Sequence, residues 1–442
     1  MRPTLCMENQ ADKTAPIRYY SNQEARSGGR SDGPIAPEAP GGGVARWAGS
    51  TPRARLIKAV GLAYDPFSSG VSEKDLAPDF GSIYVDMQPG LLSELQQPGP
   101  GFVFADYGMG KTATRMALEY ALRLARHPMT LSATYTPSIA QQTPPAESLL
   151  QQHLDAIAIE VRIDLLVQYL ERLPERQAER EATAGPLQQL ALYRQARSLP
   201  TRFSAAMRTA LANPGEDGAF WRAFRPNVRY VPVTTAWRSL VETMVKAARS
   251  SESPRASWEE TVYDARSLGF QQIYVLVDAI DEGRSSDDAY LEVVQPLIKA
   301  ASDLARQGIY LKCFFPLELK ELLLNENTML NGALTLPPAI AIINSISPAD
   351  LEKLITDRIE AAGTSGASIR SLDWFGQELD ESIQARLITA ASGSPRRLIE
   401  LTSALLDFHS LNGFRHEERL WLTRAEWQQF LEAVERPAPP LA

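Results

Sequence analysis

The chain has 442 residues, 44% of them hydrophobic and 22% charged, which is enough for one large core and a smaller domain. No stretch approaches the roughly 20 consecutive apolar residues of a membrane-spanning helix, and a net charge of −8 gives no overall attraction to nucleic acid. Two distant cysteines, Cys6 and Cys313, and an N-terminus without an apolar segment predict a cytoplasmic protein without disulfides.

Composition divides the chain into successive parts. Residues 1–55 are rich in Gly, Pro and Ser and are predicted to form a disordered low-complexity tail. An α/β domain is predicted over 56–346, with a largely helical insertion over 144–254. A small helical lid domain over 347–435 and a tail over 436–442 complete the predicted organisation.

Five short apolar runs predict the strands of the α/β domain. They lie at 102–105, 129–136, 273–278, 309–315 and 339–346. Because helical patterns separate several of these runs, we expect a parallel sheet with right-handed crossovers. Between Gly81 and Gly99 the pattern predicts a short strand-like piece, a turn and a short helix.

Two local signals predict where helices of the C-terminal part begin. Ser347 precedes Pro348, with Asp350 in the first turn, as at a capped helix start. The run Thr423-Arg424-Ala425-Glu426 is a capping box and predicts the start of the last helix.

The segment ADYGMGKT, residues 105–112, follows a predicted strand and precedes a predicted helix. It matches the phosphate-binding pattern G-x-x-x-x-G-K-[ST], except that Ala105 replaces the first glycine. Gly108 and Gly110 allow the backbone to turn its N–H groups toward phosphate oxygens. Lys111 is then predicted to contact the β- and γ-phosphates, and Thr112 to bind Mg²⁺.

This loop predicts a site for ATP and Mg²⁺. Lys111 is predicted to be catalytic as well as cofactor-binding, whereas Asp106 is an unusual neighbour for phosphate that the pattern does not explain. The cofactor-binding residues predicted here are Ala105, Tyr107, Gly108, Met109, Gly110, Lys111, Thr112 and Ala113.

The segment IYVLVDAIDE places Asp278 at the carboxyl end of an apolar strand, followed by Asp281 and Glu282. Ligands of open parallel sheets lie beyond this end of the strands, so these acids are expected near Lys111 and Thr112 if the two strands are close neighbours. Asp278 is predicted to hold Mg²⁺, directly or through water. Asp281 or Glu282 is predicted to polarise the attacking water, and a solvated loop acid is the alternative for Glu282.

Two segments resemble parts of a known family. LVDAIDE resembles the acidic motif of STAND-type signal-transducing ATPases, which are related to AAA+ P-loop enzymes, and SGSPRRLIEL (392–401) is similar to the lid motif of AAA+ and origin-recognition-like ATPases. The motif order is also similar to that of a group of bacterial ATP-binding proteins. The resemblance implies an ASCE-type P-loop core and a γ-phosphate sensor at Arg396, or at Arg397. A plain helix start with solvated arginines is the other interpretation.

The chain departs from the family at its fourth strand. STAND proteins often end that strand with a Ser-Arg-Pro-like element, whereas this chain has Cys313-Phe314-Phe315-Pro316. Lys312 is the charged residue on the strand and is a candidate substitute sensor. A lysine that extends from the strand edge to solvent is equally compatible with the sequence.

The sequence and its resemblance together predict an ATP-binding and ATP-hydrolysing switch that signals through a protein partner, with a nucleotide-dependent oligomer left open. One alternative is an interaction module that holds nucleotide with little hydrolysis. Another is a DNA-associated AAA+-like ATPase, to which the arginines of the lid would contribute.

Overall fold

The computed structural model describes residues 51–70, 72, 80–124, 130–137, 146–171, 257–278, 287–324, 337–415 and 419–435. All of them belong to one unit of the chain, Val44–Ala442. Most of the two predicted tails, most of the predicted insertion, and the predicted catalytic residues Asp281 and Glu282 lie outside this part. No described helix is both long and apolar enough to cross a bilayer.

Five parallel strands form one sheet in the order β2-β3-β4-β1-β5. The predicted α/β class and parallel sheet are therefore confirmed. The strands are β1 (Gly101–Ala105), β2 (Thr130–Tyr135), β3 (Gln272–Val277), β4 (Ile309–Pro316) and β5 (Ala339–Ile343). Each lies at a predicted apolar run, and β5 ends three residues earlier than expected.

Helices connect and cover the strands. Those up to β5 are α1 (Pro52–Ala59), α2 (Phe80–Ile83), α3 (Leu91–Leu95), α4 (Lys111–Leu124), α5 (Ala146–Glu171), α6 (Trp258–Ser267), α7 (Asp287–Arg306) and α8 (Leu319–Leu324). The C-terminal ones are α9 (Pro348–Ala362), α10 (Ile383–Ala391), α11 (Pro395–His409) and α12 (Arg424–Glu435), with a 3-10 turn at Leu372–Gly376 and a π turn at Ser410–Phe414.

The sheet has a separate apolar core on each face, because successive strand residues point to opposite sides. On one face Phe102, Phe104 and Phe315 pack with residues of α5, α6 and α7. On the other face Val103 and Phe314 pack with residues of α4 and of the C-terminal helices. The helices of the predicted lid thus share a core with the sheet.

Helix caps appear where the sequence predicts them. The Ser347 hydroxyl oxygen accepts from the Asp350 N–H at 3.1 Å and caps α9. At α12 the Thr423 N–H donates to the Glu426 carboxylate at 2.8 Å, and the Glu426 N–H donates to the Thr423 hydroxyl oxygen at 3.3 Å. Both predicted helix starts are confirmed.

Two local predictions are wrong. Residues 52–55 are helical in α1 rather than part of a disordered tail, because the Thr51 hydroxyl caps that helix and Leu56 and Ile57 anchor it in the core. The predicted strand-like piece after Gly81 is absent from residues 80–99. There α2 packs Phe80 and Ile83 against Met116 and Ala117 of α4, and α3 supplies the predicted short helix.

Ser392 ends α10 with φ at 50°, in the left-handed region that disfavours residues other than glycine. We expect Ser392→Gly to raise the free energy of unfolding by about 1 kcal/mol, because glycine adopts this conformation without steric conflict. Denaturant titration measures the change. The control Ser382→Gly removes a cap on extended backbone, where Ser382 accepts from the Ala385 N–H, and should lower stability. An equal loss in both variants would contradict the expectation.

Candidate functional site

The turn between β1 and α4 depends on two glycines with left-handed backbone. Gly108 and Gly110 have φ of 81° and 88°, values that other residues rarely adopt. Gly108 also leaves little room for a side chain, since a Cβ atom there would lie 3.1 Å from Ser394 Oγ and 3.2 Å from Arg396 Cβ. Both glycines that the sequence analysis singled out therefore have the left-handed backbone that favours glycine.

Lys111, the first residue of α4, turns its ammonium group back onto this turn. The side chain is 6% exposed, and Nζ donates to the carbonyl oxygens of Ala105 at 2.8 Å and Asp106 at 3.3 Å. A buried ammonium needs such acceptors to offset its lost hydration. Asp106 takes part through its backbone, and its side chain is exposed.

Asp278 follows β3 and is 3% exposed. Its Oδ2 accepts from Arg115 Nε at 2.8 Å. The same guanidinium group donates through Nη1 to Glu119 Oε2 at 3.2 Å and to Thr134 Oγ1 at 3.1 Å. Since Arg115 lies on α4 one turn after Lys111, the helix that begins at the loop directly contacts the acidic strand end.

The strands of the loop and of Asp278 are not direct neighbours. β4 lies between β1 and β3, which separates them by two strand spacings, roughly 10 Å. The carboxyl ends of all three strands lie at the same edge of the sheet, as Ala105 pairs with Pro316 and Val277 pairs with Cys313. The condition for the expected proximity, neighbouring strands, is therefore not met, and Asp278 is linked to the helix that begins at the loop through the side chain of Arg115.

The start of α11 lies on the loop. The Arg396 N–H donates to the Gly108 carbonyl oxygen at 3.3 Å, and the Arg396 guanidinium carbon lies 4.3 Å from the centre of the Tyr107 ring. Ser394 caps the helix by accepting from the Arg397 N–H at 3.3 Å. The segment is thus a capped helix start, and it brings Arg396 to the loop.

A cleft lies between the loop, the segment 80–87 and the helices α9 and α11. One part of its wall is apolar and is formed by Phe80, Ile83, Val85, Met87, Leu354 and Ile399. The polar part holds Asp106, Lys111, Thr112, Arg358 and Arg396. Burial raises the pKa of Tyr84, which also lines the cleft, to about 12, so this phenol is neutral at physiological pH.

The remaining loop residues differ in their positions. Thr112 and Ala113, at the start of α4, and Tyr107 line the cleft. The Met109 side chain instead packs in the core. Its backbone takes part in the turn, where the Met109 N–H donates to the Asp106 carbonyl oxygen at 3.3 Å. Ala105 is buried at the end of β1, and its carbonyl oxygen accepts from Lys111.

The structure does not bring Lys312 to this cleft. Lys312 pairs with Gly101, at the opposite end of β1 from the loop. Its ammonium group donates to the Gln97 carbonyl oxygen at 2.9 Å and lies 5.7 Å from the centre of the Tyr274 ring. Its place at the far end of the strands from the loop does not agree with a phosphate sensor in this cleft. Its 1% exposure does not agree with a lysine that extends into solvent.

Arg115, like the cleft residues Tyr84 and Arg358, is absent from the site residues that the sequence predicts. The available signal was the Arg115–Glu119 pair at i,i+4 spacing beside the apolar positions Met116 and Leu118, since opposite charges on a buried helix face must find partners. The pattern gives no indication that Asp278, 163 residues later in the chain, is one of them.

Comparison with models of known protein families gives no match, and comparison with curated proteins gives none. The described residues define an α/β protein with a parallel sheet. A glycine-containing turn and an arginine from a C-terminal helix meet in one cleft. The acidic strand end at Asp278 does not line that cleft and is linked to the helix after the turn through Arg115.

Proposed function

We propose that this chain is an ATP- and Mg²⁺-dependent molecular switch of the STAND/AAA+ P-loop type. The observation that carries this proposal is the contact of the loop with α11, in which Gly108 accepts from the Arg396 backbone and Tyr107 stacks on its side chain. A ligand seated in the loop would touch both the sheet and the C-terminal helices. Occupancy would therefore change how the two are held together.

The residues present fit a nucleoside triphosphate. Gly110 has open space around it, since a Cβ atom there would have no neighbour within 4 Å, and this leaves room for phosphate beside the N-terminus of α4. Lys111 is adjacent and can exchange its carbonyl acceptors for phosphate oxygens, which bind an ammonium more strongly. The apolar wall that includes Val85, Met87 and Leu354 suits the faces of a base.

Thr112 and Asp278 would hold Mg²⁺ in this proposal, because hydroxyl and carboxylate oxygens are its preferred ligands. The bound ion would neutralise charge on the phosphate oxygens. Lys111 would orient the terminal phosphate. A carboxylate after β3, Glu282 or Asp281, would accept a proton from the attacking water.

Arg396→Ala tests the switch. If Arg396 leaves Tyr107 for the γ-phosphate, one charge-assisted contact of about 1.5–3 kcal/mol forms with ATP and not with ADP. We therefore expect the variant to lose about tenfold or more in ATP affinity and to keep its ADP affinity, both measured by calorimetry. Arg397→Ala is the matched control, as Arg397 is the exposed next residue of α11. Equal losses for ATP and ADP would show that Arg396 supports the fold or the inner phosphates.

The alternatives remain distinguishable by simple assays. A steady-state ATPase assay separates a hydrolysing switch from a module that only holds nucleotide. Salt-dependent binding of DNA tests a DNA-associated ATPase. The mass of the purified chain with ADP and with a non-hydrolysable ATP analogue shows whether a nucleotide-dependent oligomer forms.

A further inference from the structure

A buried polar network lies behind the strand end that carries Asp278. It joins three elements, with Arg115 and Glu119 on α4, Thr134 on β2, and Asp278 after β3. Arg115, Glu119 and Asp278 are 6%, 3% and 3% exposed. Glu119 Oε2 also accepts from the Thr134 hydroxyl at 3.4 Å, so the group that holds Arg115 is itself fixed.

The geometry requires an arginine. Nε reaches Asp278 while Nη1 of the same rigid plane reaches Glu119 and Thr134. A lysine has one charged nitrogen on a flexible chain and cannot serve both sides in this way. The guanidinium group also keeps its charge at every physiological pH, so it holds Asp278 whatever the surrounding conditions.

We propose that Arg115 is the positioning residue of the metal-binding carboxylate, an inference that rests on the proposed function. Its hydrogen bond fixes Oδ2 of Asp278. Among the described residues no hydrogen bond is made to Oδ1, which leaves that oxygen as the acceptor for Mg²⁺ or a water bound to it. Partners that orient a metal ligand in this manner strongly influence metal affinity.

In this proposal one helix, α4, carries both the phosphate contacts and the residue that orients Asp278. Lys111 and Thr112 occupy the first turn of α4, and Arg115 occupies the second. The phosphate contacts and the orientation of Asp278 therefore depend on the same rigid element, although Asp278 follows β3, which lies two positions from β1 in the sheet. Arg115 contacts neither phosphate nor metal in this proposal and acts through Asp278.

The test compares Mg²⁺ titrations of ATP binding for the full-length chain and for Arg115→Lys. We expect the midpoint of the Mg²⁺ titration to rise about tenfold, with ATP affinity in EDTA within about twofold of the unmodified chain. Arg123→Lys, the same substitution two turns further along α4, should leave the midpoint unchanged. Thr134→Val, which removes one acceptor of Arg115 and keeps the strand intact, should shift it in the same direction by a smaller factor.

A double-mutant cycle identifies the route of the effect. In an Asp278→Asn background, Arg115→Lys should add no further shift, because the carboxylate that it positions is gone. An unchanged midpoint in both Arg115→Lys and Thr134→Val, with ATP still bound, would overturn this role and leave the proposed function standing. The same tenfold shift in both backgrounds would also overturn it. Absence of ATP binding by the unmodified chain would remove the proposed function and this role together.

Discussion

Lys111→Ala is expected to reduce ATP affinity by at least about a hundredfold. Its ammonium group would contact two phosphate groups, and each such charge-assisted hydrogen bond contributes about 1.5–3 kcal/mol. The side chain serves no apolar core, since its polar end reaches the carbonyl oxygens of Ala105 and Asp106. Isothermal calorimetry with ATP in the presence of Mg²⁺ measures the loss.

A matched control separates the role of Lys111 from a general change of charge. Lys299 is an exposed lysine of α7, on the helix that packs against the other face of the sheet. Lys299→Ala should bind ATP with unchanged affinity, and both variants should melt within a few degrees of the unmodified chain. Undiminished ATP affinity in a folded Lys111→Ala variant would remove the central claim of the proposed function.

The sequence predicts the strands well because each buried strand is a short continuous apolar run. Gln272–Val277 is the clearest example, with five of its six residues buried. The conformation of the turn follows from Gly108 and Gly110, which permit positive φ where other residues resist it. These features depend on a few consecutive residues, so a single chain is enough to recognise them.

The order of the strands in the sheet cannot be predicted from such local patterns. Nothing in the runs themselves places β4 between β1 and β3, because pairing depends on how helices fill both faces. The error for Lys312 has the same origin. The sequence places Lys312 on the fourth strand. The register that pairs it with Gly101 decides which end of the sheet it occupies, and the sequence does not show this register.

The missed role of Arg115 has a different cause. A buried ion network is selected by contacts between residues far apart in the chain, and its partners Thr134 and Asp278 come from two other strands. The segment after Gly81 was misjudged for a related reason. Its apolar residues pack against α4 as a helical turn, and tertiary packing of this kind overrides local propensity.

Lys312→Met is expected to raise the free energy of unfolding at pH 7 by about 1–3 kcal/mol. Burial lowers the pKa of Lys312 from 10.5 to about 8, so folding at neutral pH must desolvate a charged ammonium group. The difference between the two pKa values corresponds to roughly 3–4 kcal/mol, and loss of the hydrogen bond to Gln97 offsets part of the gain. Methionine fills a similar volume without the charge.

The pH dependence provides the stricter test of this burial. Below pH 8 both folded and unfolded chains carry the Lys312 proton, so the penalty is fully present. Between pH 8 and 10.5 the unfolded chain retains this proton and the folded chain does not, so the penalty disappears as the pH rises. The stability advantage of Lys312→Met over the unmodified chain should therefore shrink across this interval, when unfolding by urea is compared at each pH.

Comparing the two chains at each pH also removes the contribution of groups that do not interact with Lys312. Burial raises the pKa values of Tyr84 and Tyr135 to about 12, which destabilises the fold at alkaline pH in both chains equally. Lys299→Met, at an exposed site of α7, should show no advantage at any pH. An advantage of Lys312→Met that stays constant from pH 7 to 10.5 would mean that better apolar packing stabilises the variant. Lys312 would then not be a desolvated cation in the folded chain.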